Sequence, residues 1–130
     1  MRALDTCILA RWVLRDDPAQ AAVADDLLAQ PFFLGVSVLV ELSWVLESFG
    51  GMGRETLART LAELVSLPTA WVQNADGVRW AIERFAQRGD FADLMHVANS
   101  TPAAGFITFD KAIVKDAGPN APVPVELIGS

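Results

Sequence analysis

The sequence predicts an α/β fold in which a mostly parallel sheet is covered by helices on both faces. Short apolar runs such as "FFLGV" and "GFITF" have the composition of buried strands. They alternate with segments whose apolar residues recur at helical spacing, and strands separated by helices form β-α-β units with parallel strands. A chain of 130 residues is long enough for a real core, so we expect a single domain over residues 1–130.

In the first half of the chain, helix-capping residues, glycines and prolines mark the boundaries of the expected helices and strands. We expect strands over residues 2–4, 32–36 and 70–73, and helices over 6–14, 18–29, 37–48 and 57–65. Thr6 and Ser37 are expected to cap their helices, and Asp17 followed by Pro18 is a typical helix start. Gly50 follows an expected helix as a stop signal.

The second half continues the alternation. Asn74 is expected to cap a helix that Gly89 stops, and Asp90 is expected to open another helix that ends before Pro102. Strands are expected over residues 105–109 and 123–128. The last of them should lie at an edge of the sheet, because Pro124 has no backbone N–H to donate.

Composition limits the function classes. The formal net charge is −6, from 16 acidic residues against 10 Lys and Arg, which disfavours a purely electrostatic nucleic-acid binder. No apolar run reaches the roughly 18 residues of a membrane span, and the N-terminus has no apolar signal-peptide core. One cysteine can form neither an internal disulfide nor a cysteine metal site. We therefore expect a cytoplasmic protein with no membrane partner.

Two aspartates directly follow expected strands. Asp5 comes after the first strand, and Asp110 comes after "GFITF". Ligands of parallel α/β sheets bind beyond the carboxyl ends of the strands, so both carboxylates are candidates for a site there. The alternative for each is an ordinary cap of a following helix.

Two further acids lie near the start of expected helices. Glu41 sits within "SVLVELSWVL", a helix apolar enough to be mostly buried, where a carboxylate is costly unless a cation or donors satisfy it. A buried salt bridge to an arginine is the alternative. In "RGDFADLMHVANS", Asp90 is explained as the N-cap, whereas Asp93 borders the apolar face and is a candidate for chemistry.

The four candidate acids are expected to converge at one end of the sheet. Several carboxylates close together are unfavourable unless cations compensate their charge. Oxygen ligands with few nitrogen or sulfur alternatives suit Mg²⁺ or Mn²⁺, which activate water and stabilise a phosphodiester under attack. A local basic rim would then contact RNA, and its candidates follow the strand-end acids in sequence: Arg11, Arg15, Lys111 and Lys115.

Four stretches, in this order and spacing, resemble the PIN-domain ribonucleases and most closely the toxin subunits of VapBC-type toxin–antitoxin pairs: "LDTCILARWVLRDDPAQ", "VSVLVELSWVL", "GDFADLMHVAN" and "FITFDKA". The resemblance covers nearly the whole chain. It implies a three-layer α/β/α sandwich with a mostly parallel central sheet, and a Mg²⁺ or Mn²⁺ site that cleaves single-stranded RNA. It also implies a homodimer silenced by a small antitoxin whose C-terminal segment lies over the active site.

By position, the resemblance assigns the catalytic and metal-ligating roles to four acids: Asp5, Glu41, Asp93 and Asp110. Thr108 is a nearby hydroxyl, and Asp90 could join the site from its cap position. Two residues depart from the family pattern: Cys7 stands where Asn or Ser is frequent, and His96 interrupts a usually small, apolar run. Neither occupies a ligand position, so these departures bear on substrate preference.

Other function classes stay open. A non-catalytic scaffold of the same fold would only bind a partner protein or RNA, and the retention of all four acids argues against it. A Mg²⁺-dependent phosphatase is less favoured, because "DTC" lacks the second acid of an Asp-x-Asp motif. Cys7 and Arg11 do not have the Cys-x5-Arg spacing of a cysteine phosphatase. We expect Cys7 and the only histidine, His96, to be structural or surface residues.

Overall fold

A computed structural model describes residues 1–129 and divides the chain into two compact units, Met1–Gln73 and Asn74–Ser130, here called the N-terminal and C-terminal units. Each unit combines helices with short parallel strands, which confirms the expected mixed α/β class. The described strands lie in two small sheets, of three and two strands, so the expected three-layer sandwich with one central sheet stays a prediction. No helix within residues 1–129 has both the length and the apolarity needed to cross a membrane.

The N-terminal unit holds four helices and a three-stranded sheet. Its elements are β1 (Arg2–Ala3), α1 (Thr6–Leu14), α2 (Pro18–Leu28), β2 (Phe32–Leu34), α3 (Val36–Ser48), α4 (Arg54–Val65) and β3 (Ala70–Val72). The strands pair in parallel in the order β1-β2-β3, with Ala3 and Trp71 both opposite Phe33. Fully buried leucines come from α1, β2, α3 and α4. Each such side chain contributes roughly 1.5–3 kcal/mol relative to an exposed one.

The C-terminal unit is built from shorter elements. They are α5 (Ala75–Gln87), α6 (Phe91–Ala98), β4 (Phe106–Thr108), α7 (Lys111–Ala117) and β5 (Val125–Leu127). β4 and β5 pair in parallel, with Ile107 opposite Glu126. A buried cluster of Val97, Ile113 and Val123 joins α6 to α7 and to the segment before β5.

Two helices of the N-terminal unit begin differently from the expectation. Asp5, not Thr6, is the N-cap of α1, because its Oδ1 accepts a hydrogen bond from the Thr6 N–H at 2.7 Å. α3 begins at Val36, so Ser37 is not its cap. The Val36 N–H instead donates to Oε1 of Gln73 at 3.0 Å, an acceptor distant in sequence that the local pattern could not indicate.

The other expected caps have mixed outcomes. Asp17 and Asp90 cap α2 and α6 through their side chains, as predicted. Asn74 precedes α5, but its side chain makes no capping hydrogen bond. Its backbone is left-handed, with φ 52°, and its Nδ2 donates to the backbone oxygen of Ala98 at 3.0 Å.

α7 is a helix that the apolar pattern does not predict, since only Ile113 and Ala117 of its residues are buried. Arg84 of α5 binds its C-terminal end by donating from Nε to the backbone oxygen of Asp116 at 2.7 Å. Gly118 ends the helix with φ 74°, and a Cβ there would lie 2.9 Å from Cζ of Arg84. Glycine is therefore required both by the backbone conformation and by the approach of the guanidinium.

Candidate functional site

Asp5 is held at the carboxyl end of β1 by two hydrogen bonds. Besides the Thr6 N–H, it accepts a hydrogen bond from Sγ of Cys7 to Oδ2 at 3.3 Å. The capping alternative is therefore confirmed for this residue. A carboxylate has about four lone-pair positions, and Asp5 is exposed, so the cap leaves room for a cation or further donors. The same hydrogen bond is the main reason that the pKa of the Cys7 thiol is raised.

Glu41 is exposed, so the expectation that it is buried in an apolar helix is wrong. α3 buries one stripe, which includes Leu39, Leu42 and Leu46. Glu41 lies on the opposite stripe with Trp44, which is 59% exposed. The helix is apolar on nearly all sides, yet only one side packs against the core, so the composition alone overestimates its burial.

Asp5 and Glu41 line the same cavity of the N-terminal unit, which has a volume of about 620 Å³. Thr6, Arg11 and Phe49 also contribute to its wall. The structure therefore brings these two sequence-predicted acids to one concave surface, formed where α1 and α3 pack together.

Thr6 adds a feature of this cavity that the sequence does not reveal. The residue is only 5% exposed, and its Oγ1 has no hydrogen-bond partner within residues 1–129. A buried hydroxyl left unsatisfied costs about 1–3 kcal/mol, so the cavity wall contains a destabilising polar group. The general preference of threonine for helix starts accounts for the residue type but gives no sign of this unpartnered state.

Asp93 carries the electrostatic signature of a crowded carboxylate in the C-terminal unit. The Asp90 side chain caps α6 by accepting a hydrogen bond from the Asp93 N–H at 3.0 Å. Partial burial raises the pKa of Asp93, and the nearby charge of Asp90 raises it further. Asp110 and Asp116 act in the same direction, whereas His96, one turn along α6, opposes them. Several acids thus lie within electrostatic reach of Asp93.

Asp110 is the N-cap of α7. Its Oδ1 accepts a hydrogen bond from the Ala112 N–H at 2.8 Å, and its own N–H donates to Oγ1 of Thr108 at 3.0 Å. The capping alternative is confirmed here as well, and Asp110 stays exposed. Lys111 and Lys115, two of the expected rim cations, are exposed on the same helix.

The two expected rim arginines, Arg11 of α1 and Arg15 at its C-cap, are both ion-paired. Nη1 of Arg11 contacts both carboxylate oxygens of Asp16, at 2.9 and 3.0 Å, and its Nε donates to Oε1 of Gln20 at 2.6 Å. Arg15 forms a two-point pair with Asp25, at 2.9 and 2.7 Å. Arg11 lines the cavity that contains Asp5, and Arg15 is not among its lining residues.

No group of three or more His, Cys, Asp or Glu side chains within residues 1–129 is arranged to hold a metal ion. The candidate acids occur instead as a pair in each unit. Asp5 and Glu41 line one cavity in the N-terminal unit. In the C-terminal unit, the charge of Asp110 contributes to the raised pKa of Asp93. The convergence of all four on one site stays a prediction.

The chain matches no protein-family model, no curated protein and no solved structure. The resemblance to PIN-domain ribonucleases therefore rests on the four sequence stretches alone.

Proposed function

We propose that this chain is a metal-dependent endoribonuclease that cleaves single-stranded RNA, and that it acts in the cytoplasm as the toxin of a type II toxin–antitoxin pair. One observation carries the proposal. In the N-terminal unit, the carboxylates of Asp5 and Glu41 line a cavity with Thr6, whose buried hydroxyl has no partner within residues 1–129. An oxygen-rich set of this kind is what hard divalent cations prefer.

The carboxylate oxygens of Asp5 and Glu41 are donors of the kind that Mg²⁺ and Mn²⁺ prefer, and these two acids would hold the cation in the N-terminal unit. The resemblance assigns ligand roles to Asp93 and Asp110 as well. The raised pKa of Asp93 supports this role, because partial burial and neighbouring acids disfavour its charge and a divalent cation would compensate it. The bound cation would activate a water and stabilise the negative charge on the phosphodiester.

The proposal extends to the PIN-like three-layer α/β/α sandwich, to a homodimer and to a small antitoxin as partner. Exposed aromatic surface in the N-terminal unit supports a protein partner. Trp44 and Phe49 are 59% and 76% exposed, and their rings meet edge to face at 5.7 Å. Phe49 also lines the acidic cavity, so a partner segment on this surface could place an arginine or lysine against Asp5.

Cleavage of single-stranded RNAs by the purified chain tests the activity directly. We expect cleavage with Mn²⁺ or Mg²⁺, none with EDTA, and losses of at least a hundredfold in Asp5→Asn and Asp93→Asn, in line with the loss of a charge-stabilising group. Asp26→Asn is the matched control, since it removes an exposed carboxylate that does not line the cavity. Equal losses in all three variants would contradict the assignment.

Expression in growing cells tests the toxin role. The wild-type chain should arrest growth, and Asp5→Ala or Asp93→Ala should remove toxicity while the dimer persists, because neither carboxylate is part of the buried core. Toxicity that survives either substitution in a folded protein of equal abundance would mean that the harm does not come from cleavage. The non-catalytic scaffold would then be the better explanation.

A further inference from the structure

Arg11 has one guanidinium nitrogen, Nη2, that no protein acceptor engages within residues 1–129. Its Nε is engaged by Gln20 and its Nη1 by both oxygens of Asp16. No acceptor contacts its Nη2 within residues 1–129, although an arginine fork carries five N–H donors. The side chain is only 37% exposed, so it is fixed against the protein rather than extended into solvent.

This fixed guanidinium lies on the wall of the acidic cavity. Arg11 lines the cavity together with Asp5 and Glu41, and it comes from the same helix that Asp5 caps. It is the one basic residue among those that line the cavity. A planar guanidinium held in one orientation is suited to phosphate oxygens, because less side-chain freedom is lost when it binds.

We propose that Arg11 binds a phosphate of the substrate backbone through its free Nη2, and that Asp16 and Gln20 are positioning residues that orient it. The inference rests on the proposed ribonuclease function and names the phosphodiester contact of that same site. Because Asp16 binds Nη1 and Gln20 binds Nε, a phosphate oxygen on Nη2 displaces neither of them.

Arg15 provides the contrast. It follows Arg11 by four residues in the sequence, and it also pairs with an aspartate. Its two terminal nitrogens are both occupied by Asp25, and this pairing lowers the pKa of Asp25. Arg15 does not line the cavity. Arg15 therefore has a structural partner and lies outside the cavity lining.

Binding of a labelled single-stranded oligoribonucleotide, measured in EDTA at several salt concentrations, tests the contact without cleavage. We expect Arg11→Ala to weaken binding about tenfold and to reduce the salt slope by about 0.7, the value for one lost phosphate contact on a single strand. Arg59→Ala is the matched control, because it removes an exposed cation of α4 that does not line the cavity, and it should leave both quantities unchanged. Equal effects of the two substitutions, or an unchanged slope in Arg11→Ala, would overturn the proposal.

Gln20→Ala tests the positioning role because it changes no charge. We expect a several-fold loss of affinity with an unchanged salt slope, since the cation remains but its orientation is lost. Wild-type affinity in folded Gln20→Ala would overturn the positioning claim. If Arg11→Ala does not fold, Arg11→Gln supplies the same measurement, because its amide can still contact Asp16.

The two proposals can fail separately. Absence of metal-dependent cleavage by the wild-type chain would contradict the ribonuclease function. Normal cleavage with an unchanged KM in Arg11→Ala would contradict only the phosphate contact, whereas a raised KM with a retained kcat supports it.

Discussion

The side chain of Asp90 accepts a hydrogen bond from the backbone N–H of Asp93, so the cap of α6 and the candidate ligand occupy one helical turn. The cap stabilises the helix, whereas its negative charge raises the pKa of Asp93. The two aspartates therefore have opposite effects on the fold, and substitutions can separate them.

The first prediction concerns this separation. Asp90→Ala should lower the free energy of unfolding by about 1 kcal/mol, because it removes a side-chain N-cap. Asp93→Asn should not lower it, because the carboxylate it removes is disfavoured by burial and by neighbouring acids. Urea unfolding in EDTA measures both. A larger loss of stability in Asp93→Asn than in Asp90→Ala would contradict the assignment.

The second prediction concerns pH. The raised pKa of Asp93 means that the folded chain holds this proton more tightly than the unfolded chain does. Between the ordinary value for aspartate, about 3.9, and the raised value, this carboxylate lowers the free energy of unfolding as pH rises. The stability of Asp93→Asn relative to wild type should thus increase with pH across that window and then stay constant. A difference that does not change with pH would refute the prediction.

The third prediction concerns the unpartnered hydroxyl of the cavity. Thr6→Val keeps the shape of the side chain and removes the hydroxyl, so it should raise the free energy of unfolding by about 1 kcal/mol while reducing RNA cleavage. Thr60→Val is the control, because that hydroxyl donates to the backbone oxygen of Thr56 at 2.8 Å. It should give no gain in stability and no loss of activity. Destabilisation by Thr6→Val would show that the hydroxyl has a partner in solution.

The fourth prediction concerns metal binding without catalysis. Mn²⁺ at about ten times its dissociation constant should raise the melting temperature by roughly 3–8 °C, because it binds the folded chain only. Glu41→Gln should lose this shift, since Glu41 lines the acidic cavity, and Asp26→Asn should keep it. An equal shift in Glu41→Gln and wild type would place the bound metal elsewhere.

The fifth prediction concerns the end of α7. Gly118→Ala should lower the free energy of unfolding by about 1–2 kcal/mol, because L residues are disfavoured at its φ of 74° and the new Cβ would approach Arg84. Gly53→Ala is the control: its φ is −76°, and a Cβ there meets nothing within 4 Å. Its effect should stay within about 0.5 kcal/mol. Similar losses at both positions would contradict this account.

Local signals in the sequence predicted the features that depend on neighbouring residues. The cap at Asp90 and the start of α2 at Asp17 followed from side chains three residues away from the N–H groups they bind. The strand-end positions of Asp5 and Asp110 followed from short apolar runs. These features are set within a few residues, so a single sequence is sufficient to identify them.

The features that the sequence did not predict depend on contacts between distant segments. Exposure of Glu41 depends on which stripe of α3 packs against the core, and the composition of an almost wholly apolar helix cannot choose the stripe. The start of α3 depends on Gln73, 37 residues from Val36. The unpartnered state of Thr6 depends on every atom around it, and α7 is too short for its spacing to be recognised.

The contact of Arg84 with α7 has a consequence for how this sequence can diverge. The guanidinium binds backbone oxygens of Lys115 and Asp116, and a backbone oxygen is supplied by any amino acid. The side chain at position 115 can therefore be substituted without loss of this contact. Positions 84 and 118 are not independent, because a side chain at 118 would occupy the space of the guanidinium. Among natural relatives, we expect replacement of the glycine to accompany a shorter residue at position 84.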